Sequence, residues 1–295
     1  MDVFVSGGTG YVGQPVVEAL IGLGHRVRAL TRPGGRQLPK SAWLVPIAGD
    51  LEDPGALSRG LAGADAVVHL VGIIRERTAA NVTFGSVHVA GTKNLLEAAA
   101  DAGVRRWLQM SALGVTADAA SAYFRTKAQA EEAVLQSGLD WTIFRPSLVF
   151  GPGGPGPQFL TEVRDRLLRL PLHPMIDGGH QKLQPVAVQT VSLAFARALD
   201  EPATIGATYD LAGPDVLTFR QLVATLAASV GRPFRPVWVP SSLVQALLPV
   251  LDRNGTFPLT RDQLIMLRSG SVSESWEAAY QALALERVGF SVSGI

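Results

Sequence analysis

Two stretches of this chain have residue types and spacing that could do chemistry. The first is Gly7-Gly8-Thr9-Gly10-Tyr11-Val12-Gly13, which follows the β-branched and aromatic run at 2–6 and precedes apolar residues at helical spacing. A strand, a glycine turn and a helix in that order form a site for the phosphates of a dinucleotide. Gly7 permits the tight turn, and Gly10 has no Cβ to keep a pyrophosphate off the backbone. Gly13 lets the helix lie close to the sheet. The free amides and positive dipole end of that helix face the anion. Thr9, Tyr11 and Val12 complete the expected cofactor contacts. The plain alternative is a helix-capping turn with no ligand.

The second stretch is Tyr123-Phe124-Arg125-Thr126-Lys127 at the start of a later helix. Tyrosine and lysine at this spacing share one helical face. A nearby ammonium stabilises phenolate and draws a tyrosine pKa down from about 10 toward working pH. Tyr123 could then exchange a proton with a substrate oxygen during hydride transfer. Lys127 could also hold the nicotinamide ribose. Ser111 ends the strand before that helix, where a hydroxyl could hydrogen-bond a substrate carbonyl. A solvated helix face and a polar strand end are the competing readings.

Cofactor choice turns on the end of the second strand. An acid there accepts the ribose 2′-hydroxyl, whereas an arginine accommodates a 2′-phosphate. No acid occurs between Arg26 and Lys40, where Arg32 and Arg36 both do. The expectation is NADP(H) in preference to NAD(H), against a plain surface arginine. Asp50 and Leu51 are placed to meet the adenine, unless Asp50 only caps the helix that begins near Pro54. Leu70, Val71 and Gly72 are placed to pass the cofactor ribose.

Other chemistries fall away. The five histidines (His25, His69, His88, His173, His180) show no metal spacing, and no HExxH or G-x-S-x-G motif occurs. With no cysteine, disulfides, thiolate metal sites and cysteine nucleophiles are excluded. A net charge of +1 makes no electrostatic case for nucleic acid or an anionic membrane. Apolar runs such as 67–74 are too short to span a bilayer. The chain enters its first strand at once, which leaves no room for a signal or transit peptide, so a cytoplasmic protein is expected.

These groups need rigid elements to hold them. Strands are predicted at 2–6, 25–30, 43–47, 66–70, 106–111 and 141–145, with helices over 11–23, 87–102 and 122–137. Such alternation predicts an α/β fold, a Rossmann-type doubly wound parallel sheet. From Gly151 the texture changes, beginning with a Gly/Pro loop at 151–157 and a basic helix at 159–170. A strand leading into a helix over 185–199 and a strand at 208–212 return toward the sheet. The tail from Thr218 reads as mostly helical, broken at Pro233, Pro236 and Pro240. The expected division is a NAD(P)-binding domain over 1–150, with 185–212 returning to it, and a smaller interleaved C-terminal lobe within 151–295. The apolar run 243–251 is core, or a surface on which a protein partner docks.

GGTGYVG at 7–13, GDL at 49–51, HVAGTKNLLEAA at 88–99, YFRTK at 123–127 and RPSLVFGPG at 145–153 together resemble one superfamily. It is the extended and atypical branch of the short-chain dehydrogenase/reductases. That branch includes nucleoside-diphosphate-sugar epimerases and dehydratases and the nucleotide-binding accessory subunit of respiratory complex I. The resemblance implies Tyr123 as acid/base, Lys127 as its partner and Ser111 as an auxiliary donor. It also implies a small-molecule substrate (a nucleotide sugar, a quinone or another carbonyl compound). Two positions depart from the pattern: His88 stands where active members commonly have asparagine, and Ala112 where many have a second hydroxyl. The rival expectation is a non-catalytic NADP(H)-binding structural or redox-sensing subunit that docks a partner.

Overall fold

The computed structural model describes residues 1–292 apart from 33, 156–158 and 252–259. Part of the expected loop at 151–157 and the side chains of 249–251 in the apolar run lie outside the described residues. The strands in chain order begin β1 (Asp2–Ser6), β2 (Arg26–Thr31), β3 (Leu44–Ala48), β4 (Ala66–His69), β5 (Arg106–Met110) and β6 (Asp140–Pro146). They continue as β7 (Val149–Phe150), β8 (His173–Ile176), β9 (Lys182–Leu183), β10 (Val186–Ala187), β11 (Ala207–Leu211), β12 (Leu217–Thr218) and β13 (Pro236–Val239). Seven of them form one parallel sheet in the order β3-β2-β1-β4-β5-β6-β11. The winding direction reverses between β1 and β4. In open sheets of this kind a ligand crevice lies outside the carboxyl ends at that point.

The pleat sorts the core into two layers. Val3, Val5, Val68, Leu108 and Phe144 face one cluster, in which α1 (Gly13–Gly22) supplies Val16, Val17 and Leu20. That layer also takes Val191, Ala194 and Phe195 from a helix at Val188–Ala198. Phe4, Val67, Trp107 and Ile143, the alternate residues, face α2 (Pro54–Leu61) and α3 (Gly91–Asp101). The Ala66–Val68 part of β4 is fully buried, as a central parallel strand covered on both faces must be. Each such aliphatic side chain contributes about 1.5–3 kcal/mol. A third cluster, with Phe150, Met175, Phe219, Leu222 and Leu264 among its members, is built from the chain after β6.

Three elements differ from the sequence reading. The basic helix expected over 159–170 is regular only over Phe159–Asp165, and Leu167–Arg169 form a separate, tighter turn. The helix expected over 87–102 is regular only from Gly91, and residues Gly85–Ala90 before it form a wider π-helical turn. Apolar spacing does not distinguish the two windings. The tail is not simply broken at Pro236, since β13 begins there and pairs with β8. A proline has no donor to lose at the first residue of a strand. Among the described residues no helix is long and apolar enough to cross a membrane.

Candidate functional site

The glycine turn is tight because its glycines touch backbone. Gly7 has φ +82°, and a Cβ there would lie 2.9 Å from the Leu70 carbonyl carbon and the Val71 nitrogen. At Gly13 a Cβ would lie 2.1 Å from the Gly7 oxygen. The Gly10 amide donates to that same oxygen at 3.0 Å, closing the turn. No side chain caps α1 and no acid stands in its first turn. Among the described residues no hydrogen bond engages the amides of Tyr11, Val12 or Gly13. Unengaged amides at an uncapped helix start suit a phosphate.

Tyr11, expected from the sequence to meet the cofactor, also holds the loop that follows β7. Its hydroxyl donates to the Gly151 carbonyl at 2.9 Å, and its own carbonyl accepts from the Gly154 amide at 2.8 Å. The start of the Gly/Pro loop is thereby laid along the glycine turn.

Residues 70–72 join the two stretches. Leu70 and Val71 abut Gly7, and a Cβ on Gly72 would lie 3.1 Å from Lys127 Nζ and 3.7 Å from His88 Nε2. Tyr123 and Lys127 begin α4 (Ala122–Leu135) and are both buried, which removes the solvated-face reading. Their arrangement corrects one expectation. Lys127 Nζ donates to the Met110 carbonyl at 3.1 Å. Burial pushes the Tyr123 phenol up to about 12 instead of down. Burial also draws the Lys127 amine down to about 8, against the opposing charge of Glu131. Ser111, next in chain after Met110, is 4% exposed, and its Oγ has no hydrogen-bond partner among the described residues. A buried hydroxyl without a partner costs on the order of 1–3 kcal/mol, so a ligand oxygen there would recover an interaction the protein forgoes.

The outer positions separate. Arg32 is exposed just past β2 and has no ion-pair partner among the described residues. Arg36 instead donates Nη1 to the Pro155 carbonyl at 2.5 Å. Asp50 does not cap α2, because the cap must directly precede the first helical residue. Asp53 fills that place and accepts from Ala56 N at 3.0 Å, while Asp50 accepts from Glu52 N at 2.9 Å. Leu51 is largely spent on packing beside Gly91, and its carbonyl accepts from Asn94 Nδ2 at 2.9 Å.

Residues 7–164 of this chain match the family described as NAD(P)H-binding. The chain belongs to that family, within the extended short-chain dehydrogenase/reductase superfamily. It is 31% identical to subunit 9 of the NADH dehydrogenase [ubiquinone] 1 alpha subcomplex of Arabidopsis thaliana, a mitochondrial protein, over 89% of this chain and 67% of the relative. It is 29% identical to the 2-alkyl-3-oxoalkanoate reductase of Stenotrophomonas maltophilia, over 88% of this chain and 87% of the relative. A dTDP-glucose 4,6-dehydratase from Streptomyces venezuelae, solved with NAD bound, superposes with a TM-score of 0.67 at 25% identity. That match covers 81% of this chain and 84% of the other.

In this dehydrogenase/reductase chain the sequence reading weighed the histidines as metal ligands and missed what two of them build. His88, 1% exposed in the π-helical turn, accepts the Ile73 amide on Nε2 at 3.1 Å. Its Nδ1 lies 3.0 Å from Thr126 Oγ1, which donates onward to the Ala122 and Tyr123 carbonyls. Proton accounting therefore makes the ring neutral, protonated on Nδ1. The ring stacks on Phe84 at 5.4 Å and meets Tyr123 edge-on at 5.3 Å. His69 at the end of β4 joins Ser6 Oγ at 2.5 Å to Thr92 Oγ1 at 3.0 Å, and Thr92 donates to the His88 carbonyl at 2.6 Å. The end of β1, the end of β4 and the helix carrying Tyr123 thus share one buried polar chain. The only hints in the sequence are a histidine closing an apolar strand and His88 in an asparagine position.

That chain predicts acid sensitivity. Burial first, with the Lys127 charge adding, holds His69 down to about 3 and His88 down to about 2. Above about pH 6.5 neither state binds these protons, and below it only the unfolded state does. Stability should fall as pH drops, by about 1.4 kcal/mol per pH unit for each histidine well below 6.5. Melting followed from about pH 7 to about pH 4 should show this loss, and His88→Asn should flatten it by about half. A melting temperature unchanged over that range would contradict the neutral assignment.

Proposed function

We propose that this chain is an NADP(H)-preferring oxidoreductase that reduces a small carbonyl compound, with Tyr123, Lys127 and Ser111 as its reacting and binding groups. The observation that carries the reading is the buried, unpartnered Ser111 Oγ in the residue after the Lys127 acceptor. A bound nicotinamide dinucleotide would supply the hydride. Tyr123, held protonated across neutral pH by burial, suits proton donation to the substrate oxygen as the carbonyl becomes an alcohol. Ser111 would hold that oxygen in place. Lys127, charged below about pH 8, would anchor the ribose and favour the departure of the phenolic proton. Gly7, Thr9, Gly10, Tyr11, Val12 and Gly13 would hold the phosphates, with Leu70, Val71 and Gly72 beside the ribose. Asp50 and Leu51 would border the adenine. The 2-alkyl-3-oxoalkanoate reductase among the relatives supports a ketone substrate. The same groups, run reversibly, suit the transient oxidation of a nucleotide sugar by an epimerase or dehydratase.

The second reading, a nucleotide-holding subunit docked on a partner in the cytoplasm, is favoured by the similarity to the Arabidopsis NADH dehydrogenase subunit. Anaerobic titration with NADPH and NADH, followed by ketone, quinone and nucleotide-sugar substrates, separates the two. Cofactor oxidation with any substrate supports the enzyme, whereas tight binding without turnover supports the subunit. For the cofactor preference, Arg32→Ala should weaken NADPH by about tenfold or more and NADH little, because only the former presents a 2′-phosphate to a guanidinium. An equal effect on both would remove the case for NADP(H).

A further inference from the structure

The helix that carries Tyr123 and Lys127 starts on an anchor from a distant part of the chain. α4 has no acid in its own first turn, and its N-cap, Ser121, accepts from the Phe124 amide only at 3.4 Å. Asp262, 140 residues past Ala122, supplies the missing carboxylate. Its Oδ1 accepts from Ser121 Oγ at 2.8 Å and from the Ala122 amide at 2.6 Å. The Tyr123 amide also points to it, at 3.5 Å. Ser121 is 0% exposed, so its hydroxyl has no water to turn to instead. A carboxylate in this place takes up orphan helix donors and meets the positive end of the helix dipole.

Asp262 belongs to the first turn of the helix Arg261–Ser269. Thr260 and Gln263 close the start of that helix by themselves, with reciprocal bonds at 2.9 and 3.2 Å. The Asp262 carboxylate is therefore free to reach α4, and it makes no ion pair among the described residues. Two faces of this helix pack on different groups. Leu264 and Leu267 are buried in the cluster built from the chain after β6. Met266, one turn on from Asp262 and on its face, packs against the cluster of Phe84, Val115, Tyr123 and Phe124. Ile73 and Ala112 pack against that same cluster. One helix thus holds the start of α4 by a carboxylate and the surroundings of Tyr123 by a thioether, while its other face is fixed in a separate core.

We propose that Asp262 is a positioning residue for carbonyl reduction: by tying the first turn of α4 to the helix Arg261–Ser269, it sets where the Tyr123 phenol stands relative to the substrate oxygen. This role rests on the reading of Tyr123 as the proton donor. Asp262 acts on the backbone beneath Tyr123 and not on the phenol, whose ring is packed by His88, Phe84 and Phe124. Proton transfer requires heavy atoms within hydrogen-bond reach, and a misplacement of about 1 Å costs on the order of 100-fold in rate.

The test is single-turnover oxidation of NADPH by the full chain, with ethyl 3-oxohexanoate or menadione as the carbonyl probe. Asp262→Ala should slow oxidation by about 10- to 100-fold, with NADPH affinity held within about threefold. Asp262→Asn keeps an oxygen acceptor for the same donors and should stay within about threefold of wild type. In the Tyr123→Phe background, Asp262→Ala should cost less than about a further twofold, because both changes act on one proton transfer. A residue that only tethers the two helices would lower the melting temperature and leave the rate of folded enzyme unchanged. A wild-type rate in Asp262→Ala, or a loss undiminished in the Tyr123→Phe background, overturns the role of Asp262 and leaves Tyr123 as donor. Equal losses in the Asn and Ala variants would assign the effect to the negative charge and overturn it as well. If wild type oxidises NADPH with neither probe, or Tyr123→Phe is as fast as wild type, the donor reading itself fails and takes this role with it.

Discussion

Tyr123→Phe should lower turnover by about 100- to 10,000-fold, the usual worth of a positioned proton donor. Affinity for NADPH should stay within about threefold, well under 1 kcal/mol. Only a hydroxyl is removed. The ring keeps its edge contacts with His88 at 5.3 Å, Phe84 at 5.8 Å and Phe124 at 5.5 Å, so the π-helical turn and the start of α4 retain their packing. The pH profile carries a second signature. A phenol pushed up to about 12 stays protonated at neutral pH and adds no slope there, whereas Lys127 loses its proton above about 8. Carbonyl reduction should therefore be level near neutrality and decline above about pH 8. Stopped-flow oxidation of NADPH measures both quantities. Wild-type turnover in the variant would show that Tyr123 is not the donor.

Gly13→Ala should remove measurable dinucleotide binding, a loss of about 100-fold or more, and destabilise the fold by about 1–3 kcal/mol. A methyl 2.1 Å from the Gly7 oxygen cannot be accommodated by a side-chain rotation, because its neighbours are backbone atoms. The turn must open, and with it the hydrogen bond from Gly10 to Gly7 that shapes the phosphate cradle. Gly22 at the other end of the same helix is the control. A Cβ there meets nothing within 4 Å, so Gly22→Ala should leave binding unchanged and raise stability by about 0.5–1 kcal/mol. Calorimetric titration and denaturant melts of the two variants should move in opposite directions. Equal nucleotide affinity in Gly13→Ala and wild type would show that the glycine turn does not hold the phosphates.

Much of the fold was legible because its signals are local. The apolar run of β4 marks a strand covered on both faces, and Gly7, Gly10 and Gly13 mark the turn after β1. Alternation of strands and helices implies parallel pairing with crossovers of one hand. Most boundaries moved by a residue or two, but the helix expected to reach residue 170 ends at Asp165, and the π-helical turn at Gly85–Ala90 was hidden inside a pattern that also fits an α-helix.

The sequence by itself determined the seven-strand parallel architecture's class, the place of the dinucleotide turn and the helix that carries Tyr123 and Lys127. Only the tertiary structure decided what those side chains meet. Spacing puts Lys127 on the same helical face as Tyr123, but it does not show that the ammonium donates to the Met110 carbonyl of β5 or that burial raises the phenol. Tyr11 sits in the phosphate turn, yet its hydroxyl reaches Gly151, 140 residues on. Ser6 and His69, 63 residues apart, and His88 and Thr126, 38 apart, are joined in one buried polar chain. Arg169, Arg232 and Arg235 come to line one cavity only because segments distant in sequence converge where β8 pairs with β13. Periodicity records which face of its own element a residue occupies, whereas charge, burial and hydrogen-bond partners depend on which other elements are packed against that face.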